Sequence, residues 1–136
     1  MRVILDSTLG VIVDVQERLL PVMHDPDTTL IKIGTFVRGL RSLGVPLIAT
    51  EQYPKGLGPT VEPVKEAFRD KAGEETGEEN GTELSTAPFA PIVKSAFSCC
   101  DESAFESALN DYRSGGTRVV LIAGIEAHVC VLQTVL

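Results

Sequence analysis

The sequence predicts an α/β domain: a mainly parallel, doubly wound sheet of Rossmann-like type, held in three layers between helices. Three observations carry that prediction. Short continuous apolar runs recur along the chain, the pattern of strands buried on both faces. Amphipathic stretches of helical period separate them, so strand and helix alternate, which calls for right-handed parallel crossovers. With 136 residues, 43% of them hydrophobic, residues 1–136 make a single domain with a full core.

The elements follow in order. Residues 9–13 are apolar apart from Gly10 and form the first strand. Over 28–43, Leu30, Ile33, Val37, Leu40 and Leu43 fall on one helical stripe, with Asp27 or Thr28 as the cap and Gly44 as the stop. Residues 45–49 form a second strand, with Pro46 in its first positions. Two prolines and two glycines make 51–60 a loop, followed by a short helix over 61–69. Residues 70–88, rich in Glu, Gly and Thr, read as an acidic mobile loop. A third, short strand centres on Ile92 and Val93. Ser103 and Glu106 have capping-box spacing, and Phe105, Leu109 and Tyr112 make an apolar stripe, so 102–113 is a helix ended by Gly115 and Gly116. Residues 118–123 are the clearest strand, and the chain turns helical again from Ala127. That last segment ends among Val129, Leu132, Val135 and Leu136, an apolar face that wants more partner surface than four strands provide. The expectation is a sheet lacking its C-terminal strands, or one completed by a partner subunit.

Charge narrows the function. The net −7 is concentrated in residues 70–83, where six carboxylates face Lys71 alone. The rest is near neutral and carries no basic footprint for nucleic acid. No apolar run exceeds the seven residues from Val119 to Ile125, so no membrane span or secretory leader is expected, and the chain reads as cytoplasmic. Three cysteines, two of them adjacent, suggest reduced thiols.

In open α/β sheets, ligands bind beyond the carboxyl ends of the strands. Asp14 ends the first strand, Lys94 the third, and Cys130 lies in the first turns after the fourth. A cysteine near a helix start with a lysine close by has its thiolate favoured, and a neighbouring carboxylate can carry a proton. Together these are the parts of covalent catalysis at a carbonyl-like carbon. Each residue alone also has a plain structural use, as core thiol, helix cap or strand-end charge. His128 stands two residues from Cys130, on a different helical face, and His24 reads as a surface residue. Adjacent Cys99 and Cys100 read as structural thiols. No Asp-x-His follows the second strand, no glycine-rich nucleotide loop occurs, and neither metal nor cofactor is expected.

The segments LGVIVDVQ (9–16), TEQYPKGLGPTV (50–61), IVKSAFSCC (92–100) and VLIAGIEAHVCVLQ (120–133) resemble the isochorismatase-like cysteine hydrolases, in their domain-containing branch. The resemblance implies an isochorismatase-type fold and a catalytic triad of Asp14, Lys94 and Cys130. It also implies a cis peptide at Ile125–Glu126 that aims backbone N–H groups near Val129 and Cys130 at an oxyanion. Gln16, Tyr53 and Phe97 would line the substrate, with Phe89 a further apolar wall. The implied activity is metal-independent hydrolysis, through a thioester-type intermediate, of a small-molecule amide-like or isochorismate-like substrate, in a homo-oligomer. The competing readings are a catalytically silent binding module and a thiol or redox sensor.

Overall fold

A computed structural model describes residues 3–70 and 88–136. Four strands, β1 (Thr8–Val13), β2 (Leu47–Gln52), β3 (Ile92–Lys94) and β4 (Val119–Gly124), form one sheet in the order β3-β2-β1-β4, every neighbouring pair parallel. The helices are α1 (Pro26–Ser42), α2 (Pro54–Leu57), α3 (Glu62–Arg69) and α4 (Ser103–Ser114); a π-helical turn, Ala127–Val131, runs into α5 (Leu132–Val135). The acidic loop expected over 70–88 lies, from 71 to 87, outside the described residues.

Alternation along the strands divides the core in two. Leu9, Val11 and Val13 of β1 pack with Ile48, Cys99, Phe105 and Cys130 on one face. Ile12 and Ala49 pack on the other with Ile33 and Val37 of α1 and Val64 and Ala67 of α3. Helices therefore cover both faces, which makes the three layers, and each fully buried aliphatic such as Val37 contributes about 1.5–3 kcal/mol.

Three boundaries differ from the sequence-based expectation. Pro46 has no N–H to donate, so regular pairing begins at Leu47, opposite Gly10, and continues through the buried polar residues Thr50, Glu51 and Gln52. The cap of α1 is Asp25, whose carboxylate accepts from the Thr28 N–H at 3.3 Å, with Pro26 in the first turn where its missing N–H costs nothing. The capping box at Ser103 does not form. Glu102 holds the cap position, and its carboxylate instead accepts from the Ser95 and Ala96 N–H groups at 2.6 and 3.1 Å, which holds it below the usual carboxylate range.

Gly124, at the end of β4, has φ 152°, and a Cβ there would sit 2.2 Å from the Val13 carbonyl oxygen. Backbone cannot move aside as a side chain can. Gly124→Ala is therefore expected to lower stability by about 3 kcal/mol, seen as a lower urea midpoint with an unchanged slope.

Candidate active site

The chain builds outward from β1 to β2 and β3, then returns to place β4 on the other side of β1. Strand order reverses there, and the carboxyl ends of β1 and β4 open the crevice where such sheets bind ligands. Asp14 follows β1 directly, with its backbone in the left-handed region at φ 53°, a conformation that aspartate tolerates better than most residues. Its N–H still donates to the Thr50 carbonyl at 3.3 Å, while its carboxylate is fully buried.

Lys94 ends β3, two strand spacings of about 4.8 Å from β1, and its long stem crosses the end of β2. Its ammonium, also fully buried, lies 2.7 Å from Asp14 Oδ2. It meets three neutral oxygens as well: Gln52 Oε1 at 2.6 Å and the carbonyls of Ala96 and Phe97, each at 3.0 Å. Three N–H groups cannot serve four oxygens equally. The ammonium therefore bridges the Asp14 carboxylate and the three neutral acceptors. Asp14 Oδ1 accepts from the Thr50 hydroxyl at 2.7 Å.

Cys130 is buried within the π-helical turn, where the Val131 N–H reaches back to the Glu126 carbonyl at 3.2 Å. Its thiol senses both charged partners. Burial pushes the thiol up from 9.0 to about 11; the hydrogen-bonding nearness and charge of Asp14 add to the rise, and Lys94 opposes it. This corrects the expectation that the helix start and the lysine favour the thiolate. Dehydration and a facing carboxylate outweigh one cation that is already shared among four oxygens.

The remaining predicted residues divide. The Ile125–Glu126 peptide is cis, and the Ile125 N–H donates to the Val13 carbonyl at 2.9 Å. The Val129 N–H donates to the Glu126 carbonyl at 3.1 Å, so it is taken up within the turn. Gln16 is buried, and its amide is fully used on backbone: Nε2 donates to the Gln52 and Gly58 carbonyls, and Oε1 accepts from the Gln52 N–H. It positions β2 rather than lining the crevice. Tyr53 and Phe97 flank Lys94, the Tyr53 N–H donating to the Lys94 carbonyl and the Phe97 carbonyl accepting from the ammonium, and both rings are exposed. Phe89 is no wall of this site; its ring packs edge-on against Phe68, 5.1 Å away, in the α1–α3 core. His128 is exposed and lies 3.5 Å from Glu126.

Sequence reasoning singled out neither Thr50 nor Glu102, and it placed Gln52 in a loop from Glu51 to Leu57 lining the entrance, whereas Gln52 is the last residue of β2. The usable signal is three polar residues continuing an apolar run without a break, at the strand end where sites form. Among the described residues, no group of three His, Cys, Asp or Glu side chains comes together as a metal site.

A family model for the isochorismatase domain matches residues 8–136. The chain belongs to the isochorismatase family. This isochorismatase domain is 31% identical to isochorismatase domain-containing protein 2 of Danio rerio over 121 residues, which are 89% of this chain and 50% of that protein. Among solved structures, it matches the MAR1 ribonuclease of Caenorhabditis elegans with a TM-score of 0.75 at 30% identity, covering 98% of this chain and 58% of that one. It matches the YcaC gene product of Escherichia coli, an octameric hydrolase of unknown specificity, with a TM-score of 0.75 at 23% identity, covering 98% and 57%; that likeness is one of fold. The isochorismatase domain thus spans about half the length of these relatives. No helix among the described residues is long and apolar enough to cross a membrane.

Proposed function

We propose that this isochorismatase domain is a cysteine hydrolase for a small amide-like or isochorismate-like metabolite, with Cys130 as nucleophile, Asp14 as proton carrier and Lys94 as the countercharge that orients both. One observation carries the reading. Asp14 Oδ2 is buried, sits 2.7 Å from the Lys94 ammonium, and lies beside a thiol that feels its charge.

At neutral pH the resting thiol holds about a hundredfold less thiolate than one at 9.0, so attack requires the proton to leave as the bond forms. Asp14 takes the Cys130 proton while the sulfur adds to the carbonyl-like carbon. Collapse of the tetrahedral adduct breaks the bond to the leaving group, which departs with the proton from Asp14. Water then adds to the thioester, giving its proton to Asp14; the acid product leaves and Cys130 is reprotonated. The excess of acidic side chains, 19 against 12 basic ones, favours a small-molecule substrate over a phosphodiester chain. Exposed Val120, Leu132, Val135 and Leu136 offer apolar surface for homo-oligomer contacts, in keeping with the octameric fold neighbour. A cytoplasmic setting suits the free cysteines.

Acid-quenched turnover of a panel of small primary amides and activated esters tests the reading by peptide mass. The expected result is an acyl mass on the Cys130 peptide of the parent protein, and neither adduct nor turnover in Cys130→Ala. Turnover that survives in Cys130→Ala overturns it.

A further inference from the structure

We infer that Thr134 is a positioning residue: its hydroxyl joins the turn that carries Cys130 to the loop that cradles the Lys94 ammonium, and so holds the thiol against its two charged partners. The inference rests on the triad reading for its catalytic meaning; the joint itself is independent of any substrate.

Both partners of the hydroxyl follow from helix geometry. Thr134 stands four residues after Cys130, one helical turn on and over the same face. It donates to the Cys130 carbonyl at 2.6 Å. Cys99 opens a short 3-10 turn, Cys99–Asp101, and the first N–H groups of such a turn have no partner within it. The Ser98 hydroxyl accepts from the Cys100 N–H at 3.2 Å, and the Thr134 hydroxyl accepts from the Cys99 N–H at 3.0 Å. A carbonyl only accepts and a backbone N–H only donates. The one hydroxyl proton of Thr134 is therefore committed to Cys130, and a lone pair to Cys99.

Cys99 gives that joint its reach. Just ahead of it in the chain, the carbonyls of Ala96 and Phe97 each accept from the Lys94 ammonium at 3.0 Å. The base of the same loop is gripped by Glu102, which accepts from the Ser95 and Ala96 N–H groups at 2.6 and 3.1 Å. The Cys99 side chain is fully buried and packs in one cluster with Cys130. Its Sγ lies 3.8 Å from the Thr50 hydroxyl, which donates to Asp14. One residue thus touches the supports of both charged groups, and Thr134 ties the backbone of Cys130 to it. A single π-helical turn of five residues has little stability of its own, so its placement is set by what it touches. Without the hydroxyl, the Cys99 N–H loses its acceptor. Turn and loop are then joined by non-directional apolar packing and by the weak contact of the Cys100 thiol with the Thr134 carbonyl at 3.7 Å.

The test measures how strongly Cys130 feels Asp14. The rate of iodoacetamide alkylation at pH 8 is followed by mass on the Cys130 peptide, with and without Asp14→Asn, in the parent protein and in Thr134→Val, Thr134→Ala and Thr134→Ser. The ratio of the two rates within one background cancels any change in access to the thiol. In the parent, Asp14→Asn is expected to raise the rate about tenfold, because a facing carboxylate opposes thiolate formation. In Thr134→Val the turn is no longer held against the carboxylate, and the same substitution is expected to raise the rate by about threefold or less. Thr134→Ala shows the same loss of coupling, which covers a failure of the valine variant to fold. Thr134→Ser keeps the hydroxyl and restores the full ratio. A purely structural threonine would lower the melting temperature and leave the ratio whole. An undiminished ratio in Thr134→Val and Thr134→Ala overturns the inference while leaving the triad intact. A ratio of one in the parent protein overturns the triad itself, and this inference with it.

Discussion

Asp14→Asn is expected to abolish turnover while making Cys130 easier to alkylate. The two effects have one cause. In the proposed mechanism Asp14 accepts the thiol proton, and losing a general acid–base group costs about 10²–10⁴-fold in rate; there it serves both half-reactions, so the upper end is expected. The same carboxylate is the second-largest influence holding the thiol up near 11, after burial. Its removal leaves Lys94 unopposed, and the thiol ionises at lower pH. At pH 8, below the titration, alkylation then rises by about tenfold. Loss of the fold would also expose Cys130. Cys99 distinguishes the cases: it is fully buried, with its thiol pushed up chiefly by burial, and it should remain unmodified in a folded Asp14→Asn protein. Slower alkylation of the variant, or equal labelling of both cysteines, contradicts the expectation.

The second large effect is on stability. Lys94→Met leaves the Asp14 carboxylate buried with only the Thr50 hydroxyl and no countercharge. Breaking a buried pair from one side costs about 3–5 kcal/mol, because the remaining ion has lost its water without compensation. The double variant Lys94→Met/Asp14→Asn removes that orphaned charge and is expected to recover most of the loss. Urea unfolding of the two singles and the double gives the coupling directly. If the double is as unstable as the sum of its singles, the pair contributes no coupling, and the view of Lys94 as the countercharge of Asp14 fails.

Much of this architecture was readable in the residues. The strands announce themselves where both faces are buried, as in β1, since continuous apolar composition leaves no other use for such a run. Asp14, Lys94 and Cys130 stand out because each ends or follows a strand, where general topology places ligands. What the pattern hides is polar burial. Thr50, Glu51 and Gln52 look like loop because propensity weighs side-chain polarity and not the partner that satisfies it; Glu51, for instance, is buried against the Thr60 N–H and hydroxyl at 2.6 and 2.8 Å. The helix cap at Ser103 fails for a related reason. Capping-box spacing is local, whereas Glu102 is drawn to the Ser95 loop by tertiary contacts. The thiol was misjudged because a helix start and a lysine can be seen in sequence, but dehydration cannot.

The pairing of β1 with β4 sets Thr8 opposite Val119 and Val13 opposite Gly124. The first strand thus meets the last of the four, so the crevice comes into being only when nearly the whole described chain has closed on itself. Early contacts, such as α1 folding back on β2, give no part of it. Asp14 and Cys130 are brought together by that closure alone, since one follows β1 and the other follows β4.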